Sequence, residues 1–129
     1  FFNDTFFNIF RCTPTYAVAN KVKSNIAKLG YPMDKLYFKK IDAIDKKNLK
    51  SNIIGDIAIS RCDTDFYDST LSILKSLYYK VIKNGYIIYD EYGHWKGHYD
   101  ACHEFYNENN IKPFFIRTCR KEVVEVKSV

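Results

Sequence analysis

Glycine is scarce in this chain. Only 5 of its 129 residues are Gly, at positions 30, 55, 85, 93 and 97, and no two form G-x-G. The sequence therefore carries no glycine-rich turn of the kind that cradles a nucleotide-like cofactor. The four cysteines, Cys12, Cys62, Cys102 and Cys119, never fall as C-x-x-C. That spacing argues against a zinc site. The four read as free thiols in a reducing compartment, so the expected location is cytoplasmic. No apolar run approaches the length of a bilayer span. The apolar start (Phe1, Phe2, Phe6, Phe7, Ile9, Phe10) is interrupted by Asn3, Asp4 and Asn8. It follows no basic segment and is not a signal peptide. Repeats, low-complexity tracts and linkers are also absent. Lys plus Arg outnumber Asp plus Glu by 20 to 15, a net charge of +5. The lysines are scattered, with no basic stripe and no recognised module, so specific nucleic-acid binding is not expected. The first residue is Phe rather than Met, which points to a processed, trimmed or partial sequence.

What is abundant is apolar and aromatic material. Hydrophobic residues make up 47% and aromatic ones 17%, with 11 Tyr and 10 Phe. This composition suits one globular domain with an ordinary packed core. Residues 1–10 read as a short strand. Thr13, Pro14 and Thr15 mark a helix start. Val18, Val22, Ile26 and Leu29 then recur at steps of three and four, predicting a helix over 15–29 stopped by Gly30. Residues 35–40 read as a short strand, and 41–49 as a helical turn or two. Ile57, Ala58 and Ile59 are continuously apolar, as in a strand covered on both faces. Leu71, Leu74, Leu77, Tyr78 and Val81 predict a helix ended by Asn84 and Gly85. Residues 86–89 form the next strand and 93–97 a loop. A helix over 98–109 turns Ala101, Cys102, Phe105 and Tyr106 inward. Residues 114–118 and 123–126 close the chain as an antiparallel strand pair. Alternation of this kind predicts an α/β fold with a mainly parallel sheet.

The chemistry is expected in residues 56–97. The two strands of a right-handed βαβ unit point the same way and end side by side, and ligands of open α/β sheets bind beyond those ends. Here Asp63 and Asp65 follow the first strand, and Asp90 and Glu91 follow the second. Carboxylates converging without Lys or Arg partners are stabilised by a cation among them. Oxygen-only ligation suits Mg²⁺, at roughly 2.1 Å. Such an ion acidifies a bound hydroxyl, and a free carboxylate beside it can take the proton. Acids at strand ends also serve as helix caps, a task open here to Asp68, Ser69 or Thr70. His94 has three readings: base, substrate hydrogen-bond donor or structural residue. Trp95 either stacks on a substrate ring or fills a core gap. His98 and His103 read as surface or helix residues.

The run Asp63-Thr64-Asp65-Phe66-Tyr67-Asp68-Ser69-Thr70 resembles the D-x-D-x-Y-x-S-T motif of the macrocin O-methyltransferase family. The run from Gly85 to Gly97, GYIIYDEYGHWKG, resembles that family's G-G-x-x-I-x-D-D-Y-G-x-W-x-G motif. Similarity runs from about Pro14 to the C-terminus. The resemblance implies a class I, Rossmann-like methyltransferase fold that uses S-adenosylmethionine and Mg²⁺ to methylate a hydroxyl of a small molecule, typically a sugar. By position it implies metal ligation by Asp63, Asp90 and Glu91, with Glu91 standing where the family normally has Asp. Asp65 aligns with the general base, and His94, just past the acidic pair Asp90-Glu91, is a second catalytic candidate. Asp4-Thr5-Phe6 resembles the family's D-[ST]-F at the end of its second strand. This implies cofactor contact by Asp4, with Asp63 facing the cofactor as well. The first strand and its glycine loop would then be missing, making residues 1–129 a single partial methyltransferase domain. In the family fold that strand lies between the second strand and the Asp63 strand, so its loss leaves two unpaired strand edges. The competing expectation is a non-catalytic binding domain, or inactive fragment, that keeps the fold without cofactor binding. A homo-oligomer is compatible with either.

Overall fold

The computed structural model describes residues 7–8, 19–37, 42–44, 49 and 55–128. Asp4, the Thr13–Thr15 helix start, Cys12 and residues 38–41, 45–48 and 50–54 lie outside the described residues.

The first unit is β1 (Phe7–Asn8), α1 (Ala19–Lys28) and β2 (Leu36–Tyr37). The two strands pair in parallel, Phe7 opposite Leu36 and Asn8 opposite Tyr37. Gly30 takes φ 72° just past α1, the left-handed residue that commonly follows a helix C-terminus.

The second unit carries the candidate chemistry. It runs β3 (Ile57–Cys62), α2 (Tyr67–Leu77), β4 (Val81–Tyr89), α3 (Lys96–Glu108), β5 (Phe115–Arg117) and β6 (Val123–Val126). Sheet order is β3-β4-β6-β5. β3 and β4 are parallel, while β4–β6 and β6–β5 are antiparallel. The chain is thus α/β, with its parallel pairs first and an antiparallel pair at its C-terminus.

Two sequence expectations change. The second helix does not reach Asn84. It tightens into a 3₁₀ turn at Tyr78–Lys80, and Val81 is already extended, at φ −70° and ψ 124°. Leu74, Tyr78 and Val81 do share one buried cluster, and Leu77 is buried too, which is why their spacing looks helical, but Val81 reaches it from a strand. Asn84 and Gly85 form an irregularity inside β4. Ile57 pairs with Val81 but Ile59 with Tyr86, so β4 bulges between them. Asn84 takes φ 64°. A Cβ at Gly85 would come within 2.9 Å of the Ala58 and Ile82 carbonyl oxygens, so only glycine fits there.

The second change concerns covering. α2 and α3 pack on one face of the sheet, where Leu74, Tyr78, Cys102, Phe105 and Tyr106 meet Cys62, Ile87, Tyr89 and Val123. On the other face Ile59, Tyr86 and Ile116 are 50%, 46% and 45% exposed. Among the described residues, β3 pairs only with β4. It behaves as an open edge rather than as the doubly covered strand its apolar run suggests.

The core contains a carboxylate. Glu125 of β6 is 1% exposed. It accepts hydrogen bonds from Tyr78 Oη at 2.8 Å, Tyr89 Oη at 3.1 Å and Tyr106 Oη. Lys127 is also buried and donates to the Val81 carbonyl at 2.6 Å. Its ammonium lies 5.1 Å from the Tyr78 ring centroid. Burial pushes Tyr92 up to about 12 and raises Tyr78, Tyr89 and Tyr106 as well. Unfolded tyrosines ionise near pH 10. The stabilisation from keeping these four neutral is therefore complete below that pH and is lost as pH climbs from there through the folded values. Each such tyrosine costs about 1.4 kcal/mol per pH unit in that window. A series of urea midpoints is expected to hold steady to about pH 9.5 and then fall steeply. A flat profile to pH 11.5 would contradict this reading of the tyrosine cluster.

Candidate functional site

Parallel pairing of β3 with β4 brings the two acidic motifs together. Cys62 lies opposite Tyr89, and the Asp90 amide donates to the Cys62 carbonyl at 3.2 Å. Asp63 and Asp90 thus leave adjacent strands at the same end of the sheet.

The acids do not cap the helices that follow them. The N-caps of α2 and α3 are Phe66 and Trp95, neither with a side-chain capping bond. Ser69 and Thr70 hydroxyls instead donate back to the Phe66 carbonyl, each at 2.9 Å. Capping therefore does not account for the D-x-D motif.

The carboxylates are not free of basic partners, contrary to the sequence expectation. Arg61 of β3 places its guanidinium 2.8 Å from Asp90 and 3.8 Å from Asp63. The alternation that points Arg61 and Asp63 to one side of the strand was readable in the sequence. A third acid joins them from the turn before β6. Glu122 and Asp63 both lie within interaction range of the Asp90 carboxyl. Burial alone would raise the Asp90 carboxyl. The Arg61 bond and charge, with the contacts from Glu122 and Asp63, outweigh it and hold Asp90 below the usual carboxylate value. Nothing in the local sequence announces Glu122. It arrives because β6 runs antiparallel to β4, with Val123 opposite Tyr89. Gly93 permits that approach, since a Cβ there would collide with the Arg120 carbonyl oxygen, and its amide donates to Lys121 O at 2.8 Å.

Glu91 and Asp65 are partly buried. The Glu91 Oε2 atom is buried with no hydrogen-bond partner. His94 sits exposed on the turn after β4, its ring edge-on to Trp95 at 4.9 Å between centroids. Trp95 is 46% exposed and Phe66, inside the D-x-D-x-Y run, 69%. Both lie at helix N-termini, and neither fills the core.

His98 corrects the surface reading. It is fully buried. Its Nδ1 lies 2.6 Å from the Thr64 carbonyl oxygen and 3.3 Å from Thr70 Oγ1. A carbonyl only accepts, so Nδ1 carries the proton. Nε2 is buried and has no partner. Burial pushes the imidazole below its ordinary value, against the opposing pull of the Thr64 carbonyl and of Glu91, Asp65 and Asp90. The sequence signal was present, because residue 98 precedes the inward Ala101 and Cys102 by three and four. His103, by contrast, is half-buried and bonds Tyr92 Oη at 2.8 Å.

The donor set suits a small hard cation. A cationic group already bridges Asp63 and Asp90, and the buried Glu91 Oε2 has no hydrogen-bond partner. Among the described residues, however, no three His, Cys, Asp or Glu side chains stand close enough to hold a metal as arranged. Cys62, Cys102 and Cys119 are free thiols. Burial raises the first two, Cys62 to about 11, so neither is a nucleophile at neutral pH. No helix among the described residues is long and apolar enough to cross a membrane.

Comparison with solved structures gives similar folds. The O-methyltransferase NovP aligns with a TM-score of 0.78 and 27% identity over 85% of this chain and 45% of its own. CalS11, described as a TDP-rhamnose 3'-O-methyltransferase of calicheamicin biosynthesis, aligns at 0.63 and 15% over 84% of this chain and 49% of its own. The chain thus spans about half the length of the structures it matches. No curated protein matches it. The family profile for macrocin-O-methyltransferase (TylF) matches residues 3–120. With the strand-end acids and both motifs falling inside that span, the chain belongs to the macrocin-O-methyltransferase family.

Proposed function

We propose that this chain is the acid-bearing part of an S-adenosylmethionine-dependent, Mg²⁺-dependent O-methyltransferase acting on a small hydroxylated acceptor, most simply a sugar, in the cytoplasm. The observation that carries this reading is the meeting of Asp63 and Asp90 at adjacent parallel strand ends within a family match. Asp63, Asp90 and Glu91 would hold the cation. When bound, it would lower the pKa of the acceptor hydroxyl and fix its oxygen. Asp65 would take the proton from that hydroxyl, and S-adenosylmethionine, when bound, would supply the methyl group. His94, exposed on the neighbouring turn, would exchange protons with acceptor or solvent. Phe66 and Trp95 offer apolar faces to a sugar ring.

Cofactor contact by Asp4 belongs to the same proposal, as does a partial domain lacking its first strand and glycine loop. Support for the latter is that, among the described residues, β1 pairs only with β2 and β3 only with β4.

The test is calorimetry on the full-length protein with S-adenosylmethionine and Mg²⁺, followed by methyl transfer with and without EDTA. Binding of both and a loss of turnover on chelation are expected. No cofactor binding, or turnover indifferent to EDTA, sinks the reading.

A second reading, a domain that keeps the fold without catalysis, is favoured by one observation. The Arg61 guanidinium is already seated against Asp63 and Asp90. It predicts that the full-length protein binds acceptor but no divalent ion.

A further inference from the structure

The D-x-D loop is held from below by the first turn of α3. Gly97 lets that turn approach closely, since a Cβ there would lie 3.0 Å from the Tyr67 amide nitrogen. The next residue, His98, is fully buried. Its Nδ1–H reaches the Thr64 carbonyl at 2.6 Å, the peptide between Asp63 and Asp65. The loop gains a second tether in series. Thr64 Oγ1 bonds Thr70 Oγ1 at 2.8 Å, and Thr70 also lies 3.3 Å from His98 Nδ1.

We propose that His98 is a positioning residue. By fixing the Thr64 carbonyl it sets the orientation of the Thr64–Asp65 peptide, and so aims the cation-side carboxylate of Asp63 and the base of Asp65 relative to each other. This rests on the methyl-transfer reading above, but the geometry concerns only the chain's own residues. The argument is one of degrees of freedom. Asp63 and Asp65 lie in an irregular stretch between β3 and α2, with no ladder to hold them. A buried donor on a rigid helix supplies the missing constraint, and partners of this kind tune ligand geometry strongly.

Three variants of the full-length protein separate this from mere packing. Asn at position 98 places an amide nitrogen where Nδ1 stood and keeps the donor while losing volume. Leu keeps the volume and loses the donor. Gln stays polar but carries its nitrogen to the Nε2 position, away from Thr64. The first readout is amide hydrogen exchange of residues 64–67 with no metal added. The second is Mn²⁺ affinity by calorimetry, with Mn²⁺ alone as the probe.

His98→Leu and His98→Gln are expected to speed exchange in the loop at least about tenfold and to weaken Mn²⁺ by about 10–100-fold. His98→Asn should stay within about threefold of wild type in exchange and affinity alike. The proposal is overturned if His98→Leu leaves loop exchange unchanged, or if His98→Asn is the worst of the three, as packing alone would give. Should wild type take up no Mn²⁺, the methyl-transfer reading falls, and the exchange contrast still decides the role of His98.

Discussion

Replacing Asp63 or Asp90 by Asn in the full-length protein is expected to cut methyl transfer at least about 1,000-fold, with little change in stability. A factor of that size corresponds to about 4 kcal/mol of barrier, in the range a Lewis acid supplies through charge stabilisation. Asn keeps the shape of Asp and removes the charge. Both side chains are 22% exposed, and their Arg61 partner 55%. The ion pairs they make are therefore close to the surface class, worth at most about 1 kcal/mol. Activity should collapse while the melting temperature moves by only a few degrees. Asp65→Asn is the companion experiment. It should lower kcat by about 10²–10⁴, the usual worth of a general base, and leave Mn²⁺ affinity nearly intact. If Asp63→Asn retains turnover within tenfold of wild type, the cation assignment is wrong. Equal loss of Mn²⁺ affinity in Asp65→Asn would place that residue among the ligands instead.

The second large effect is on stability. Glu125→Ala should cost about 3–5 kcal/mol, because it removes the carboxylate acceptor of three buried phenols, leaving Tyr78 Oη unpaired and Tyr89 and Tyr106 with only each other, and opens a cavity at once. Tyr78, Tyr89 and Tyr106 all direct their hydroxyls at this one carboxylate. Lys127, buried near them over the Tyr78 ring, would keep its carbonyl bond but lose the nearest buried anion. Glu125→Gln retains an acceptor and most of the volume and should cost less, about 1–2 kcal/mol. Denaturant melts of the full-length protein measure both. A loss under 1 kcal/mol for Glu125→Ala would mean that the tyrosines find other partners on relaxation.

These two sites were unequally legible. Asp63, Asp65, Asp90 and Glu91 could be found because strand-end acids recur in the sequence at the ends of two apolar runs. Parallel pairing alone then brings Asp63 and Asp90 to adjacent strand ends. Arg61 was visible one alternation before Asp63, yet the carboxylates were expected to lack basic partners. His98 reads only as a surface or helix residue although its helical spacing from Ala101 and Cys102 points inward, because a histidine among polar neighbours carries little apolar signal. Glu125 looks like an ordinary polar position of an alternating strand, V-V-E-V. Only the packing of Tyr78, Tyr89 and Tyr106 from three separate elements makes it a core residue.

The acid motifs show the division most plainly. By itself the sequence determined the α/β order of elements, the strand ends that carry acids and the family motifs, because these depend on local periodicity and on residues close in the chain. The tertiary structure decided what surrounds those acids. It brought Arg61 between Asp63 and Asp90, Glu122 alongside through antiparallel register, and His98 beneath Thr64. It also turned Asn84 and Gly85 from a helix stop into a strand bulge, and left one sheet face and the β3 edge open among the described residues. Each of these depends on contacts between residues far apart in the chain, and the free energy of such contacts exists only once the elements have packed.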